Sequence, residues 1–183
     1  MPGVESLFGV PEYQISGSVR FEDGDSAALN FTPQTASNRR TWTYSTWFKR
    51  GNINSSGTRG VLFSAYEDSA NYTYIGFDDG GGGYDRLRVY SLTSSSVAID
   101  FESTAQLRDV SAWYHLVVSV DTTQGTSGNR VKIYLNGEQV TAWATSTEPS
   151  EDYDTVVNKA IRHNIGSYVQ SGSYYDGYMA ETH

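Results

Sequence analysis

The feature that most constrains this chain is a strict alternation of apolar and polar side chains in its most apolar segment. Between residues 113 and 121 an apolar side chain recurs at every second position, at Tyr114, Leu116, Val118 and Val120. Side chains of a β-strand alternate between the two faces of a sheet, so this spacing predicts a strand with one buried face. No segment of the chain shows apolar residues at sustained helical spacing. The sequence therefore predicts an all-β fold.

A hairpin signal follows this strand. Residues 130–135 alternate aliphatic and polar side chains, and Asn136-Gly137 comes directly after them. A type I′ turn needs positive φ at both central residues, which Asn and Gly tolerate better than other residues. We therefore expect the chain to turn here and to return as a partner strand over residues 138–143.

The remaining strands are predicted from short runs of β-branched and aromatic residues between turn-forming segments. These strands are residues 18–22, 27–31, 41–49, 61–66, 72–77, 86–92, 97–101, 162–167 and 174–182. Aromatic side chains occupy both faces of the strand over 41–49, so we expect it to be covered on both sides. Together the short strands predict a two-sheet antiparallel jelly-roll sandwich over residues 17–183, preceded by an N-terminal arm or connector over residues 1–16.

Composition excludes several classes of function. The chain has no cysteine, so it has neither disulfides nor thiolate zinc sites. Its net charge of -8 argues against nucleic acid as a partner. No apolar run approaches the roughly 18 residues that span a bilayer, so membrane insertion is not expected. Residues 1–10 lack the features of a secretion signal, and host-cell lysis is one route by which such a protein would reach the outside of a cell.

Four segments occur in an order typical of one family of β-sandwiches. They are Thr43–Lys49, Trp113–Val118, Val131–Val140, and Ile165-Gly166 followed by Tyr175–Glu181. Taken together they resemble the laminin-G-like group of concanavalin-A-like jelly-roll domains, over about residues 18–183. The resemblance implies a sandwich in which Trp47 and Trp113 fill the space between the sheets.

Two further segments narrow the resemblance. Asn38–Trp42 and Ser111–His115 resemble the versions found in structural proteins of tailed bacteriophages. There such domains occur in fibres, tail appendages and capsid decorations. The resemblance implies a virion domain, extracellular after host lysis, that is displayed in several copies and binds a host-surface glycan or protein. The alternative is a structural decoration or assembly domain that packs on other virion proteins, and either role suits a homo-oligomer.

A glycoside hydrolase is a third alternative. Retaining glycosidases use two carboxylates about 5 Å apart, one of them as the nucleophile. The nearest local match is Ala98-Ile99-Asp100-Phe101-Glu102, in which alanine takes the place of the nucleophile. We therefore expect Asp100 and Glu102 to lie on a solvated strand edge, and the protein not to be an enzyme.

A ligand-binding site is predicted from aromatic residues near turns. Sugar rings stack on exposed aromatic faces, and tyrosine is a rigid, amphipathic side chain that suits recognition surfaces. The cluster of Tyr168, Tyr174, Tyr175 and Asp176 is our first candidate. The alternative is that these rings cover the ends of the sandwich.

Calcium is the expected cofactor, because laminin-G-like domains often carry a rim site of Asp side chains and backbone carbonyls. The candidate ligands are acidic residues in predicted turns. They are Asp23, Asp25, Asp78, Asp79 and Asp121. The alternative is that each of these side chains accepts hydrogen bonds from its own turn.

Overall fold

The computed structural model describes residues 15–53, 60–77, 85–168 and 173–183. These residues form two antiparallel sheets and one 3-10 turn, Ser127–Asn129. The strands in chain order are β1 (Val19–Phe21), β2 (Leu29–Phe31), β3 (Thr41–Arg50), β4 (Val61–Asp68), β5 (Asn71–Phe77), β6 (Arg86–Thr93), β7 (Ser96–Gln106), β8 (Tyr114–Asp121), β9 (Val131–Leu135), β10 (Glu138–Gln139), β11 (Trp143–Thr147), β12 (Arg162–Ile165) and β13 (Gly177–Ala180).

The two sheets differ in width. The first sheet has the strand order β1-β13-β3-β8-β9-β10, and the second has the order β11-β7-β6-β5-β4-β12-β2. They enclose one main core, in which Phe48 of β3 meets Phe77 of β5 edge-on at a ring-centroid distance of 5.6 Å. The prediction of an all-β, two-sheet antiparallel jelly-roll sandwich is therefore confirmed.

Alternation explains which side chains enter the core. Leu116, Val118 and Val120 of β8 are all fully buried, as the period of two predicts. The turn at Asn136-Gly137 is confirmed as well, because both residues have positive φ, at 53° and 84°.

The prediction that the chain returns as a partner strand over residues 138–143 is wrong. Only Glu138–Gln139 pairs with β9, and the chain then crosses to the other sheet, where Trp143–Thr147 pairs with β7. The physical reason is the ring of Trp143, which packs edge-on against Phe101 at 5.1 Å on the core side of the second sheet. Burying this large apolar ring favours the crossover over a longer hairpin.

The expected positions of two tryptophans are also corrected. Strand β3 has one buried face, so Trp42 lies in the core, where its indole Nε1–H donates to Thr155 Oγ1 at 3.0 Å. Trp47 lies on the opposite face and stacks on His115 at a centroid distance of 4.8 Å. Trp113 is only partly buried. The cross-strand contact with the ring of His115 shields part of Trp47 on this outer face.

A buried ion pair joins the two sheets. Arg50, at the end of β3, donates to Asp85 Oδ1 at 2.6 Å, and both side chains are almost inaccessible. The same guanidinium donates to the carbonyl oxygen of Leu107 and lies 4.3 Å from the ring centre of Phe77. Arg108 donates to the second carboxylate oxygen of Asp85 at 3.0 Å. Arg50 of the first sheet therefore contacts residues at the ends of β5 and β7 and just before β6.

His163 on β12 is held in its neutral form. Its Nδ1 lies 2.9 Å from the carbonyl oxygen of Ile161, and its Nε2 lies 3.2 Å from the backbone N–H of Asn158. Both contacts are satisfied together when the ring carries its proton on Nδ1 alone. Burial lowers the pKa of His163, because the charged ring loses solvation.

Most of the predicted N-terminal arm, residues 1–14, lies outside the described residues. Residues 15–18 precede β1 without regular secondary structure. Within the described ranges, no helix is long and apolar enough to cross a membrane.

Breaking the buried ion pair should cost much more unfolding free energy than breaking an exposed one. Asp85→Asn should lower the free energy of unfolding by about 3–5 kcal/mol, because it leaves the charge of Arg50 buried without its anion. Asparagine tolerates the positive φ of 68° at this position, so the backbone is not the cause. Glu22→Gln, which breaks the exposed pair with Arg20, should cost less than about 1 kcal/mol. Urea unfolding measures the unfolding free energies of both variants. Equal losses would contradict the conclusion that the Arg50–Asp85 pair is buried and important for stability.

His163 predicts a loss of stability in mild acid. Its folded pKa is depressed, so its stabilising contribution is complete above the unfolded value of about 6.5 and is lost as the pH falls towards the folded value. His163→Gln should flatten the fall in unfolding free energy between about pH 6.5 and 5. The control His115→Gln, on the outer face of the first sheet, should keep that slope. If the His163→Gln variant keeps the same dependence of unfolding free energy on pH, His163 is not the group responsible for the loss of stability.

Candidate functional site

Five tyrosines gather on the outer face of the second sheet, on the side away from the core. We call this cluster the tyrosine face, and it consists of Tyr66 on β4, Tyr72 and Tyr74 on β5, Tyr90 on β6, and Tyr168 just after β12. The period of two places Tyr72 and Tyr74 on one side of β5, while Ile75 and Phe77 enter the core. Cross-strand pairing then sets Tyr66 beside Tyr72 and Tyr74 beside Tyr90.

The rings of the tyrosine face have two orientations. Three neighbouring pairs are near-parallel, with centroid distances of 6.3 Å for Tyr66–Tyr72, 5.8 Å for Tyr72–Tyr90 and 5.5 Å for Tyr74–Tyr90. Tyr168 stands edge-on to Tyr66, Tyr72 and Tyr74 at 5.9, 5.5 and 6.2 Å. Tyr74 and Tyr168 are buried, whereas the other three rings stay partly exposed. Partial burial raises the pKa of Tyr66 and Tyr90.

Two ion pairs border the tyrosine face. Arg88 donates Nε and Nη2 to the two oxygens of Asp100, both at 2.8 Å, and its guanidinium lies 5.0 Å from the ring centre of Tyr90. Arg86 donates to Glu102 at 3.0 Å. A planar bidentate pair of this kind has a well-defined geometry and is stronger than a hydrogen bond between neutral groups.

The expectation that Asp100 and Glu102 lie on a solvated edge is therefore wrong. Strand β7 lies between β11 and β6, so it is not an edge strand. The two acids are only 7% and 9% exposed and are each paired with an arginine across the strands. Both carboxylates are thus engaged in structural ion pairs rather than presented to solvent.

The predicted cluster of Tyr168, Tyr174, Tyr175 and Asp176 is divided by the fold. Tyr168 joins the tyrosine face, and Tyr174 forms an isolated bridge with Ser167. Tyr175 is 1% exposed and meets a core ring edge-on, which corrects the expectation that it offers a face to a ligand. Tyr174 and Tyr175 follow each other in extended chain, so they point to opposite sides.

Asp176 instead belongs to an acidic cluster. Carboxylate oxygens of Glu22, Asp23 and Asp176 lie within 4.8 Å of one another. Burial and the two neighbouring carboxylates raise the pKa of Asp176. The backbone N–H of Gly51 donates to the carbonyl oxygen of Asp176, and a Cβ at Gly51 would lie 2.5 Å from a carboxylate oxygen of that residue. Glycine at position 51 therefore permits the close approach.

The other calcium candidates have different environments. Asp121 accepts hydrogen bonds from Thr123 and Gln124 in its own loop and from Thr41 on β3, and these bonds lower its pKa. Asp25 lies exposed in the turn after β1, outside the acidic cluster. Asp78 and Asp79 lie outside the described residues.

The predicted ligand-binding cluster contained only Tyr168 of the tyrosine face and left out Tyr66, Tyr72, Tyr74 and Tyr90, together with the bordering Arg88. The available signal was the spacing of Tyr72 and Tyr74, which places both rings on the same side of one strand. Glu22 was missed as well, although it directly precedes Asp23 in the first predicted turn.

Comparison with protein families adds one finding. Residues 23–183 match the family described as the concanavalin A-like lectin/glucanases superfamily. A comparison with curated protein sequences gives no significant match.

Solved structures share the fold at low sequence identity. A heptameric SAP-like pentraxin from Limulus polyphemus matches with a TM-score of 0.54 and 16% identity, over 85% of this chain and 67% of that one. Domain 4 of AbnA, a GH43 extracellular arabinanase from Geobacillus stearothermophilus in complex with arabinotriose, matches with a TM-score of 0.55 and 16% identity, over 80% and 60%. The CBM40 of Ruminococcus gnavus IT-sialidase, bound to alpha2,3 sialyllactose, matches with a TM-score of 0.54 and 11% identity, over 85% and 88%.

Proposed function

Because this chain belongs to the concanavalin A-like lectin/glucanases superfamily, we propose that it is a non-enzymatic domain that binds a glycan on its tyrosine face. One observation carries the proposal: three partly exposed tyrosine rings lie side by side on an outer sheet face, next to a bidentate ion pair. The fold supplies the rigid platform, and the side chains on it supply the recognition.

The chemistry of this face suits a sugar. A pyranose ring has an apolar face of C–H groups that packs on an aromatic ring, while its hydroxyls need hydrogen-bond partners. Tyr66, Tyr72 and Tyr90 provide neighbouring rings together with their phenolic hydroxyls. Arg88 and Asp100 provide further donors and acceptors beside Tyr90. Three tyrosine rings side by side extend beyond the size of one sugar ring. The row therefore favours an oligosaccharide over a single sugar.

The structural relatives support the class of ligand. The arabinanase domain was solved with arabinotriose and the CBM40 with sialyllactose, so this fold presents oligosaccharide-binding surfaces in those proteins. A non-catalytic role is supported by Asp100 and Glu102, which are both paired with arginines.

The biological setting that we propose is the surface of a bacteriophage virion, outside the cell after lysis. The support is the resemblance of Asn38–Trp42 and Ser111–His115 to phage structural proteins. Display of a homo-oligomer on a particle would multiply weak individual contacts with host-surface glycans through avidity.

A second candidate function is that of a decoration or assembly domain that packs on other virion proteins. A specific observation favours it: Val19, Leu29 and Phe31, near the start of the described chain, are each about half exposed. Exposed apolar side chains that lie close together are typical of surfaces that another element covers.

Calcium is part of the proposal because the residues of the acidic cluster fit it. Calcium prefers six to eight oxygen ligands, and the carboxylates of Glu22, Asp23 and Asp176 supply a convergent, negatively charged set. The carboxamide nitrogen of Asn52 donates to Asp23 at 3.3 Å and helps to orient it. A bound cation would relieve the mutual repulsion of the three carboxylates.

The glycan proposal predicts that binding depends on ring stacking. When the domain is multimerised on a scaffold and tested on a broad glycan array, it should bind one class of oligosaccharide. Tyr66→Ala and Tyr90→Ala should each weaken that binding by about 2- to 10-fold, because a lost aromatic contact contributes about 0.5–1.5 kcal/mol. Tyr66→Phe should lose less, because it keeps the ring.

The matched control is Tyr178→Ala, which removes an equally large exposed ring from the outer face of the first sheet. It should leave glycan binding unchanged. Absence of binding to any glycan, with and without calcium, would count against the proposal and leave the assembly role. Equal loss in the Tyr178 variant would show that the tyrosine face is not the site.

The calcium proposal predicts a metal-dependent melting temperature. At free calcium 100-fold above its dissociation constant, binding should stabilise the fold by about 2.7 kcal/mol, or roughly 5–10 °C for a domain of this size. Asp176→Asn should abolish this shift. Because the folded pKa of Asp176 is raised, its stabilising effect is lost as the pH rises through that value. In the absence of calcium, the Asp176→Asn protein should therefore be slightly more stable at neutral pH than the parent protein without calcium.

Asp121→Asn is the matched control, since it removes a carboxylate that lies outside the acidic cluster. This variant should keep the full calcium shift. A melting temperature that is the same in calcium and in chelator would refute the metal site, and a shift retained by Asp176→Asn would place the ion elsewhere.

A further inference from the structure

Arg162 stands at one end of the tyrosine face. It begins β12, and its direct partner across the strands is Tyr66 of β4. The next residue, His163, packs against the core ring of Phe63 at a centroid distance of 5.9 Å, so Arg162 points to the opposite, outer side of the sheet. Directly opposed residues have Cβ atoms about 5 Å apart, so the side chain of Arg162 starts beside that of Tyr66.

The strand order places this cation at the end of the row of rings. Strands β6, β5, β4 and β12 are neighbours in this order, and they carry Tyr90, Tyr72, Tyr66 and Arg162. The bidentate ion pair of Arg88 borders the other end, beside Tyr90. A ligand that stacks along the rings therefore meets an arginine at either end of the row.

The two ends of the row differ in their charge balance. Arg88 is neutralised by Asp100, which accepts from two of its nitrogens. Arg162 is exposed, and within the part of the chain that the structure describes it has no carboxylate partner. The Arg88 end therefore presents a compensated ion pair, whereas the Arg162 end presents a positive charge that a ligand can neutralise.

The guanidinium of Arg162 is held in a defined orientation. Its Nε donates to Asn164 Oδ1 at 3.0 Å. Asn164 is only 2% exposed, and its Nδ2 donates to Ser167 Oγ at 2.8 Å, so the acceptor is itself fixed. A guanidinium is a planar fork, so a bond at Nε sets the direction in which Nη1 and Nη2 point. These two nitrogens are the donors that remain for a ligand among the described residues.

We propose that Arg162 binds the carboxylate of an acidic oligosaccharide, one sugar ring of which stacks on Tyr66. This inference rests on the proposed glycan-binding function and narrows its ligand from oligosaccharides in general to those that carry a carboxylate. The two terminal nitrogens of a guanidinium match the two oxygens of a carboxylate, and such charge-assisted pairs are about twice as strong as neutral hydrogen bonds. Tyr66 and Arg162 then recognise neighbouring parts of one ligand.

The acidic residue nearest to Tyr66 on its own strand restricts where the anion can lie. Burial and the charge of Asp68 raise the pKa of the Tyr66 hydroxyl. The carboxylate of Asp68 accepts from the backbone N–H of Ala70 at 2.8 Å and from Asn71 Nδ2 at 2.9 Å, so it stays in the turn between β4 and β5. Like charges repel, so a ligand carboxylate is disfavoured on the turn side of Tyr66 and favoured on the β12 side, next to Arg162.

Matched pairs of glycans test the carboxylate assignment. The pairs are sialyllactose with lactose, and an oligogalacturonide with its carboxyl-reduced form, so that the members of a pair differ in the acidic group. The full chain, multimerised on a scaffold, should bind the acidic member of at least one pair about tenfold more tightly than the neutral member. A higher salt concentration should reduce this preference, because the guanidinium is exposed to solvent.

Variants of the arginine assign the preference to one side chain. Arg162→Gln should abolish the preference for the acidic member and leave the affinity for the neutral member unchanged. Arg162→Lys keeps the charge but loses the planar fork, so it should restore only part of the preference. The matched control Arg20→Gln removes an exposed arginine from the first sheet and should keep the full preference. Melting temperatures close to that of the parent establish that each variant is folded.

The possible results separate this inference from the function on which it rests. Equal affinity for the acidic and neutral members would overturn the carboxylate assignment and leave glycan binding intact. A preference that survives Arg162→Gln, or one that is lost equally in Arg20→Gln, would also overturn it. Absence of binding to every glycan tested would overturn both the carboxylate assignment and the glycan-binding function.

Discussion

The buried contact between Arg50 and Asp85 is the interaction on which the rest of this sandwich depends. Apolar packing between two sheets is tolerant of sliding, because dispersion and the hydrophobic effect have little directionality. A fully buried ion pair is directional, since each of its charges is costly to leave unpaired. Arg50 ends a strand of one sheet, and its carboxylate and carbonyl acceptors lie beside two strands of the other, β6 and β7. The pair therefore fixes how the two sheets are aligned.

That alignment determines what the outer faces offer. With Ile75 and Phe77 held in the core, Tyr72 and Tyr74 must point outwards, and their neighbours on β4 and β6 follow from the strand register. The tyrosine face is thus a by-product of core packing on a rigid support, which is how a recognition surface keeps its shape without a ligand. The acidic cluster arises in a comparable way, since Glu22 and Asp23 meet Asp176 only because β1 pairs with β13.

The edge strands β1 and β2 carry apolar side chains that are about half exposed. A strand without a neighbour exposes unpaired backbone groups and is prone to pair with other chains unless something covers it. Here the apolar side chains of Val19 and Leu29 lie at such edges, next to the point where the N-terminal segment begins. In the proposed assembly role a partner protein would cover this side, whereas the proposed glycan-binding role requires only that this side does not aggregate.

The sequence by itself determined the all-β class, the positions of most strands to within about five residues and the turn at Asn136-Gly137, but not the crossover to β11. These features are local, because alternation and turn chemistry act between residues that are close along the chain. Only the tertiary structure decided which face of each strand is covered, and it placed Trp47 outside, Tyr175 in the core and Asp176 beside Glu22. The physical reason is that burial and convergence depend on which distant strands pair and on how the second sheet is laid over the first, and neither is encoded in the spacing of neighbouring residues.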